Sequence, residues 1–150
     1  MEILEYSGQH KEDCVSVLRS NIGSYIAEWE LQEYVEFLDG EATVEPYFIV
    51  VDKGDVVACG GFAATPEKVV LTWGLVRNDL HGQGVGKLLL HHRLRCIQER
   101  FGALPIHIET SQKTQGFFQK YGFEPVEIVK DGISQGLDKV YMVYRSGGQS

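Results

Sequence analysis

A glycine-rich run in the middle of the chain has the residue types of an anion-binding loop. It reads Leu80-His81-Gly82-Gln83-Gly84-Val85-Gly86-Lys87, with an apolar strand-like segment before it and a helical pattern after it. Glycines leave no Cβ between the peptide N–H groups and a ligand, and they reach backbone conformations that other residues avoid. If a helix begins near Val85, its unpaired N–H groups and the positive end of its dipole face that ligand. The run therefore predicts a cradle for the phosphate groups of a cofactor.

The spacing of these glycines separates three anion-binding motifs. A P-loop needs four residues between its glycines and then Gly-Lys-Ser/Thr, but three residues separate Gly82 from Gly86, and Leu88 follows Lys87. The dinucleotide fingerprint needs Gly-x-Gly-x-x-Gly early in a βαβ unit, whereas the pattern here is Gly-x-Gly-x-Gly in mid-chain. Residues 81–86 fit a third pattern, Arg/Gln-x-x-Gly-x-Gly/Ala, except that His81 replaces Arg or Gln. This third pattern holds the pyrophosphate of coenzyme A.

A second motif follows about thirty residues later. Residues 106–111 are strand-like, and Phe117-Phe118-x-x-x-Gly122-Phe123 follows them in a short helical segment in which Gly122 suits the helix C-cap. With both motifs, the chain from about Pro46 to Arg145 resembles the GNAT acyltransferase superfamily. The resemblance implies an α/β fold of α+β type: a mixed, largely antiparallel sheet of six to seven strands flanked by about four helices.

Apolar periodicity and turn residues predict where these elements lie. Helices are expected at 10–21, 28–38, 85–101 and 114–121, and strands at 2–6, 46–52, 56–65, 68–77, 105–110, 125–130 and 139–145. In the long third helix, the predicted buried positions are Leu88, Leu89, Leu94, Ile97 and Phe101. Asp131-Gly132 is expected to form a turn.

Composition narrows the class of protein. The 150 residues suit a single domain, 1–150, in which 146–150 are expected to form a flexible tail of small polar residues. No apolar run approaches the roughly 18 residues of a membrane span, and the N-terminus lacks a signal-peptide pattern. Three cysteines cannot form a closed disulfide set, so a cytoplasmic location is expected. A net charge of −7 argues against nucleic acid; it either attracts a cationic amine or simply maintains solubility.

The resemblance assigns cofactor-binding roles to the glycine loop and to the strand before it. Leu75 and Val76 would offer their backbone to the pantetheine arm, and the phosphate-facing groups would be those of Gly82, Gln83, Gly84, Val85, Gly86 and Lys87. His81 would bind phosphate when charged, so that affinity rises as the pH falls; equally, it caps or packs locally. Lys87 pairs with phosphate or is an ordinary solvated lysine.

The catalytic groups are less well defined, because the superfamily's tyrosine general acid is replaced by Phe118. Phe118 is still expected to contact the cofactor, and Tyr121, three residues later, either supplies the proton or only packs. Glu109 is the candidate base, alone or with His107 on the same strand face; the alternative is an ion pair or exposed strand residue. Ser111 contacts the pantetheine or caps the short helix.

The acceptor pocket would use residues of the first two helices and of the loop between the last strands. The aromatic candidates are Tyr25, Trp29 and Tyr34, the acidic ones are Asp131 and Asp138, and Trp73 either lines the acyl channel or fills the core. No metal is predicted. Dimers are common in the superfamily, so a homodimer is an open expectation.

These observations predict an N-acetyltransferase that moves an acetyl group from acetyl-CoA directly to a primary amine of a small molecule. None of the three cysteines lies in either motif, which argues against a covalent cysteine intermediate. Two alternatives stay open. One is a non-catalytic acyl-CoA-binding or regulatory module, supported by the missing tyrosine, and the other is an acetyltransferase that acts on a protein amine.

Overall fold

A computed structural model describes residues 1–145; the predicted tail at 146–150 lies outside the described residues. Within 1–145 the chain forms seven strands and four α-helices, with short 3-10 turns at Gly8–His10, Glu41–Thr43 and Asn78–Leu80. In chain order they are β1 (Glu2–Glu5), α1 (Lys11–Arg19), α2 (Glu30–Asp39), β2 (Tyr47–Asp52), β3 (Asp55–Ala64), β4 (Val69–Val76), α3 (Val85–Phe101), β5 (Ile106–Thr110), α4 (Gln115–Lys120), β6 (Glu124–Ser134) and β7 (Leu137–Tyr144).

The strands form one sheet in the order β1-β2-β3-β4-β5-β7-β6. β1 with β2, β2 with β3, β5 with β7 and β6 with β7 are antiparallel, and β4 with β5 is parallel. The parallel register is short: Val69 pairs with Ile106 and Val70 with His107. The predicted mixed, largely antiparallel sheet with four helices is confirmed.

The chain separates into two compact units. The first unit comprises Met1–Ala63 and Thr72–Cys96, and the second comprises Ala64–Leu71 and the described residues from Ile97 onward. Strand β4 and helix α3 each contribute residues to both units. The prediction of a single domain stays a prediction.

In the first unit, α1 and α2 pack their apolar residues against β2, β3 and the end of β4. The fully buried residues include Cys14, Leu18, Tyr34, Leu38, Ile49 and Cys59. The Tyr34 and Tyr47 hydroxyls lie 2.8 Å apart, and the Tyr47 hydroxyl donates to the Trp73 carbonyl at 2.8 Å. These buried hydroxyls are therefore satisfied within the core.

The predicted hairpin between β2 and β3 turns at Lys53-Gly54. Asp52 pairs with Asp55, and both turn residues have positive φ, 53° and 86°. Two positive φ values at the centre of a two-residue loop define the type I′ turn, whose twist matches that of antiparallel strands.

Helix α3 has the predicted bounds, but its buried face differs from the predicted one. Leu89, Leu90 and Ile97 are buried, whereas Leu88 is 39% exposed. The predicted position of Leu88 is wrong because the helix turns a different stripe inward. That stripe contains Arg93, a residue that the apolar pattern does not mark.

In the second unit, β5 and β6 flank β7, and the aromatic rings of Phe118 and Phe123 pack edge to face. Gly122 has φ 101° directly after the C-cap of α4, as predicted for a glycine at this position. The expected turn at Asp131-Gly132 is wrong. β6 continues to Ser134 through an irregular register in which Asp131 has φ 54°, and Gly136 lies between β6 and β7.

Candidate active site

The glycine loop joins the end of β4 to the start of α3, both in the first unit. Gly82 and Gly84 have φ 78° and 88°, a region that favours glycine. Helix α3 begins at Val85. In its first turn, the Leu88 N–H donates to the Gly84 carbonyl at 3.0 Å. The N–H groups of the preceding first-turn residues have no carbonyl one turn back to bond. The loop thus has the conformation and the donors that the sequence predicts.

The space beside these glycines fits a bulky anion. A Cβ added at Gly82 or Gly84 would meet no protein atom within 4 Å. Gln83, Gly84 and Lys87 are exposed, and the Gln83 side chain turns back to donate to the Asp79 carbonyl at 3.3 Å. Backbone N–H groups, a helix N-terminus and one lysine in open space are suitable partners for a pyrophosphate.

His81 is tied to the loop's base. Its Nε2 donates to the Val76 carbonyl at 2.8 Å, and Asn21 Nδ2 donates to the same oxygen at 2.9 Å. The ring also meets Tyr25 edge to face, with centroids 4.6 Å apart. A carbonyl can only accept, so Nε2 carries a proton in this arrangement. These contacts support the local packing role; the predicted phosphate contact of His81 stays a prediction.

The backbone of β4 has an irregular stretch next to the predicted pantetheine residues. Trp73 has φ 38°, rare for a residue with a large side chain, and its carbonyl accepts the Tyr47 hydroxyl. The indole packs 5.0 Å from the Tyr34 ring against the core. The next residue, Gly74, is exposed, while the Leu75 side chain is buried. These contacts support the core-packing alternative for the partly buried Trp73, and its acyl-channel role stays a prediction, while the exposed Gly74 leaves backbone of β4 open to a ligand.

The aromatic acceptor candidates differ in accessibility. Trp29 is 50% exposed at the start of α2, and Tyr25 is half-buried against His81. Tyr34 is fully buried and bonded to Tyr47 and to the Cys59 sulfur, 3.1 Å away. This burial does not fit a residue that lines an open pocket, so Tyr34 belongs to the core.

In the second unit, the candidate base Glu109 lies on β5 and forms an ion pair. Its Oε1 is 3.0 Å from Lys139 Nζ on the neighbouring strand β7, and its side chain is 51% exposed. This is the ion-pair alternative that the sequence left open. His107 lies two residues earlier; burial, followed by the charges of Lys68 and Arg145, lowers the pKa of His107.

Ser111, Phe118 and Tyr121 are all engaged within the second unit. The buried Ser111 accepts the Lys113 N–H through Oγ at 3.2 Å, a turn that leads into α4. Phe118 is 8% exposed. Tyr121, the C-cap residue of α4, is half-buried, and its ring lies 5.1 Å from that of Phe117. The contact supports packing for Tyr121, and its catalytic role stays a prediction.

Asp131 and Asp138 hold the hairpin between β6 and β7. Asp138 accepts the Asp131 N–H at 2.9 Å, and Asp131 accepts the Gly136 N–H at 2.7 Å. Gln112 bonds both the Asp138 N–H and the Gly136 carbonyl, each at 2.8 Å. The two aspartates therefore have structural partners, and the predicted acceptor role of Asp138 stays a prediction.

The structure brings most of the predicted cofactor residues together in the first unit, from Leu75 to Lys87. Sequence reasoning missed Arg93, which is 3% exposed beside the glycines of β3 and β4. The sequence does contain a sign of this burial: Arg93 is four residues from both Leu89 and Ile97, and it therefore lies on the same face of the helix. Among the described residues no group of three or more His, Cys, Asp or Glu side chains is placed to hold a metal ion.

Comparisons with known proteins agree with this geometry. The sequence profile of the acetyltransferase (GNAT) domain matches residues 44–125, more than half of the chain. No curated protein matches the chain by sequence. In residues 1–145, no helix has the length and apolar character needed to cross a membrane.

Solved structures share the fold at low sequence identity. A protein assigned to the GNAT acetyltransferases from Desulfovibrio desulfuricans superposes with a TM-score of 0.80 at 18% identity, over 96% of this chain and 98% of that one. A ribosomal-protein-alanine N-acetyltransferase from Brucella melitensis gives 0.76 at 16%, over 97% and 99%. An aminoglycoside 6′-N-acetyltransferase complexed with coenzyme A gives 0.75 at 15%, over 97% of each chain.

The matched sequence profile and the fold together define an acetyltransferase domain. The chain belongs to the GNAT acetyltransferase family.

Proposed function

We propose that this protein transfers an acetyl group from acetyl-CoA to a primary amine of a small molecule, in a ternary complex without a covalent enzyme intermediate. The observation that carries the proposal is the loop at Gly82 and Gly84, with positive φ, open space at each Cβ and the N-terminus of a long helix behind it. The proposal retains the predicted cytoplasmic location and leaves homodimer formation to be measured.

The loop residues from Gly82 to Lys87 would hold the pyrophosphate, and the open backbone of β4 would take the pantetheine arm. The Val76 carbonyl already accepts two hydrogen bonds, from Asn21 and His81. A carbonyl oxygen has two lone pairs, so a third donor would have to displace one of these. We therefore expect the arm to use the N–H of Val76 and the backbone beyond it.

Acetyl-CoA supplies an acyl group that is activated as a thioester. In the transfer, the amine nitrogen bonds to the acyl carbon and the carbon–sulfur bond breaks. The amine gives up a proton, and the departing thiolate takes one. Because Phe118 has no hydroxyl, we propose that solvent provides the thiolate's proton, with the Tyr121 phenol as the side chain to test.

Glu109 is our proposed proton acceptor. Half of its side chain is open to an incoming ammonium group. A carboxylate that takes the proton, directly or through water, leaves the amine free to attack. His107, with its lowered pKa, is uncharged at neutral pH and is the second proposed base.

Calorimetric titration with acetyl-CoA tests the binding step. The expected result is saturable one-to-one binding, and absence of binding at millimolar ligand would overturn the proposal. A panel of small amines, with a peptide bearing N-terminal alanine as the protein-amine arm, then tests transfer by the thiol released. The peptide belongs in the panel because one structural neighbour is a ribosomal-protein-alanine N-acetyltransferase.

A non-catalytic acyl-CoA-binding module is the second candidate. It is supported by Phe118 at the position of the superfamily's tyrosine and by the structural engagement of Glu109, Ser111 and Tyr121. Such a module would bind acetyl-CoA with the same stoichiometry and release no thiol with any amine of the panel.

A further inference from the structure

Arg93 is a charged side chain on the buried face of α3. It is 3% exposed, as deeply buried as the leucines and isoleucine around it on that stripe. An arginine in such a place loses the hydration of its charge, and proteins normally compensate by pairing it. The partners of Arg93 therefore decide what it does.

The strands beneath α3 make room for this side chain. A Cβ added at Gly60 would lie 3.2 Å from Arg93 Cζ, and one added at Gly74 would lie 2.9 Å from Nη2. The second distance is shorter than real Cβ contacts allow. Glycine at both positions thus leaves a space in β3 and β4 that the guanidinium fills.

The guanidinium is poorly compensated. Nη1 donates to the Gly61 carbonyl at 3.3 Å, and the buried Nε has no hydrogen-bond partner. The ion pairs found among the described residues all lie elsewhere, and the polar side chains that act against burial by raising the pKa of Arg93 are those of Tyr47 and Cys59. Burial lowers the pKa of Arg93 to about 10, which leaves it protonated at neutral pH.

The positive charge is buried, but the backbone in front of it is open. Gly74 is exposed, and it follows Trp73, whose φ of 38° marks a distorted point in β4. The Tyr47 hydroxyl fixes the Trp73 carbonyl. A cation buried behind an exposed stretch of strand acts on that surface with little screening, because water does not surround the cation.

We infer that Arg93 is a positioning residue for negative charge at Gly74, acting through the backbone of β4. The inference rests on the proposed function, in which the acyl arm runs along β4 away from the glycine loop and passes Val76 and Leu75 before Gly74. There the charge of Arg93 stabilises the negative charge that develops on the thioester and on the departing thiolate. Arg93 itself touches neither substrate.

The ionisation of bound coenzyme A tests this directly. Free coenzyme A is the probe, and its thiolate absorbance near 240 nm is followed against pH in the wild-type complex. The thiol is expected to ionise at a lower pH when bound than when free, by about one unit, a tenfold change in ionisation constant. Binding with unchanged ionisation overturns this inference alone. Absence of binding overturns the proposed function and this inference with it.

Arg93→Met removes the charge and retains a flexible, unbranched apolar side chain, which is shorter than that of arginine. It is expected to return the thiol's ionisation to that of free coenzyme A and to lower kcat about tenfold with KM for acetyl-CoA unchanged. Arg93→Lys should retain most of the wild-type shift. If Arg93→Met equals wild type in both readouts, the inference is wrong.

Arg95→Met is the matched control, since it removes an exposed arginine from the same helix. It is expected to leave the thiol's ionisation unchanged; a shift equal to that of Arg93→Met would show a general charge effect and contradict the inference. If Arg93→Met does not fold, Gly74→Ala provides a second approach, because its Cβ would displace Nη2. That variant should also reduce the shift.

Discussion

The glycine loop and the β5–α4 segment differ in how their polar groups are used. In the loop, Gly82 and Gly84 face open space, and the donors of the first helical turn have no carbonyl one turn back. In β5–α4, Glu109 is paired with Lys139, Ser111 closes a turn and Tyr121 packs on Phe117. The backbone donors of the loop are therefore available to a ligand. The candidate catalytic side chains of β5–α4, in contrast, already make contacts that stabilise the fold. The first region therefore supports cofactor binding, and the second must be tested for chemistry.

The largest effect is expected from Gly84→Val. A β-branched side chain at φ 88° is strained, and its methyl groups would enter the space proposed for the pyrophosphate. Affinity for acetyl-CoA should fall by at least about 100-fold, equivalent to about 2.7 kcal/mol. Calorimetry on the folded variant measures the change.

Gly102→Val is the control for this prediction. Gly102 also has positive φ, 64°, with open space at its Cβ, but it lies at the other end of α3. It should lower the melting temperature to a similar degree and leave acetyl-CoA affinity unchanged. If Gly84→Val and Gly102→Val bind acetyl-CoA with equal affinity, the glycine loop has no special role in binding the cofactor.

The next effect concerns Glu109. Glu109→Gln removes the proposed base at nearly constant shape, and kcat is expected to fall about 100-fold with acetyl-CoA affinity retained. Lys139→Met breaks the same ion pair while keeping the carboxylate, so its effect on kcat should be much smaller. Steady-state kinetics with a responsive amine gives both values. Equal rates for Glu109→Gln and wild type would leave Glu109 as a structural ion-pair residue only.

A smaller effect is expected from Lys87, in the first turn of α3. Lys87→Met should weaken acetyl-CoA binding about three- to tenfold, because an exposed lysine contributes modestly to binding a phosphate. The difference from wild type should shrink as salt is raised. Lys53→Met, in the exposed β2–β3 turn, removes the same charge and should bind as wild type; a matching loss there would indicate a non-specific charge effect.

The smallest effect is a pH dependence of stability from His107. Its pKa is lower in the folded state, so the unfolded chain binds more protons near and below the ordinary value. This contribution to the free energy of unfolding is fully present above about pH 6.5 and is lost as the pH falls through the folded-state pKa. Denaturant unfolding at pH 7.5 and 5 should show a smaller acid loss in His107→Gln than in wild type. A larger loss in the variant would contradict this assignment.

The sequence predicts most of the fold, because local signals agree with it. Periodicity places α3 at Val85–Phe101, Gly122 ends α4, and Lys53-Gly54 turns the first hairpin. The loop glycines are likewise predictable, since their function depends on backbone conformation.

The rest depends on contacts between distant residues. Asp131-Gly132 resembles a turn, yet cross-strand bonds with Asp138 keep that segment within β6. Arg93 resembles a surface residue, and only the space left by Gly60 and Gly74 makes its burial feasible. The pairing of Glu109 with Lys139 depends on the register of β5 and β7, which no local pattern encodes.

The two tryptophans give the first unit a built-in optical reporter. Trp29 is half exposed, whereas Trp73 lies at the distorted point of β4 with its ring against Tyr34. In a Trp29→Phe protein, the tryptophan fluorescence would come from Trp73 alone, beside the exposed backbone of Gly74. A ligand arriving at that strand would then change the emission intensity or wavelength without any label. The position of Trp73 at the distorted point of β4 thus allows ligand binding at this strand to be followed by fluorescence in a rapid-mixing experiment.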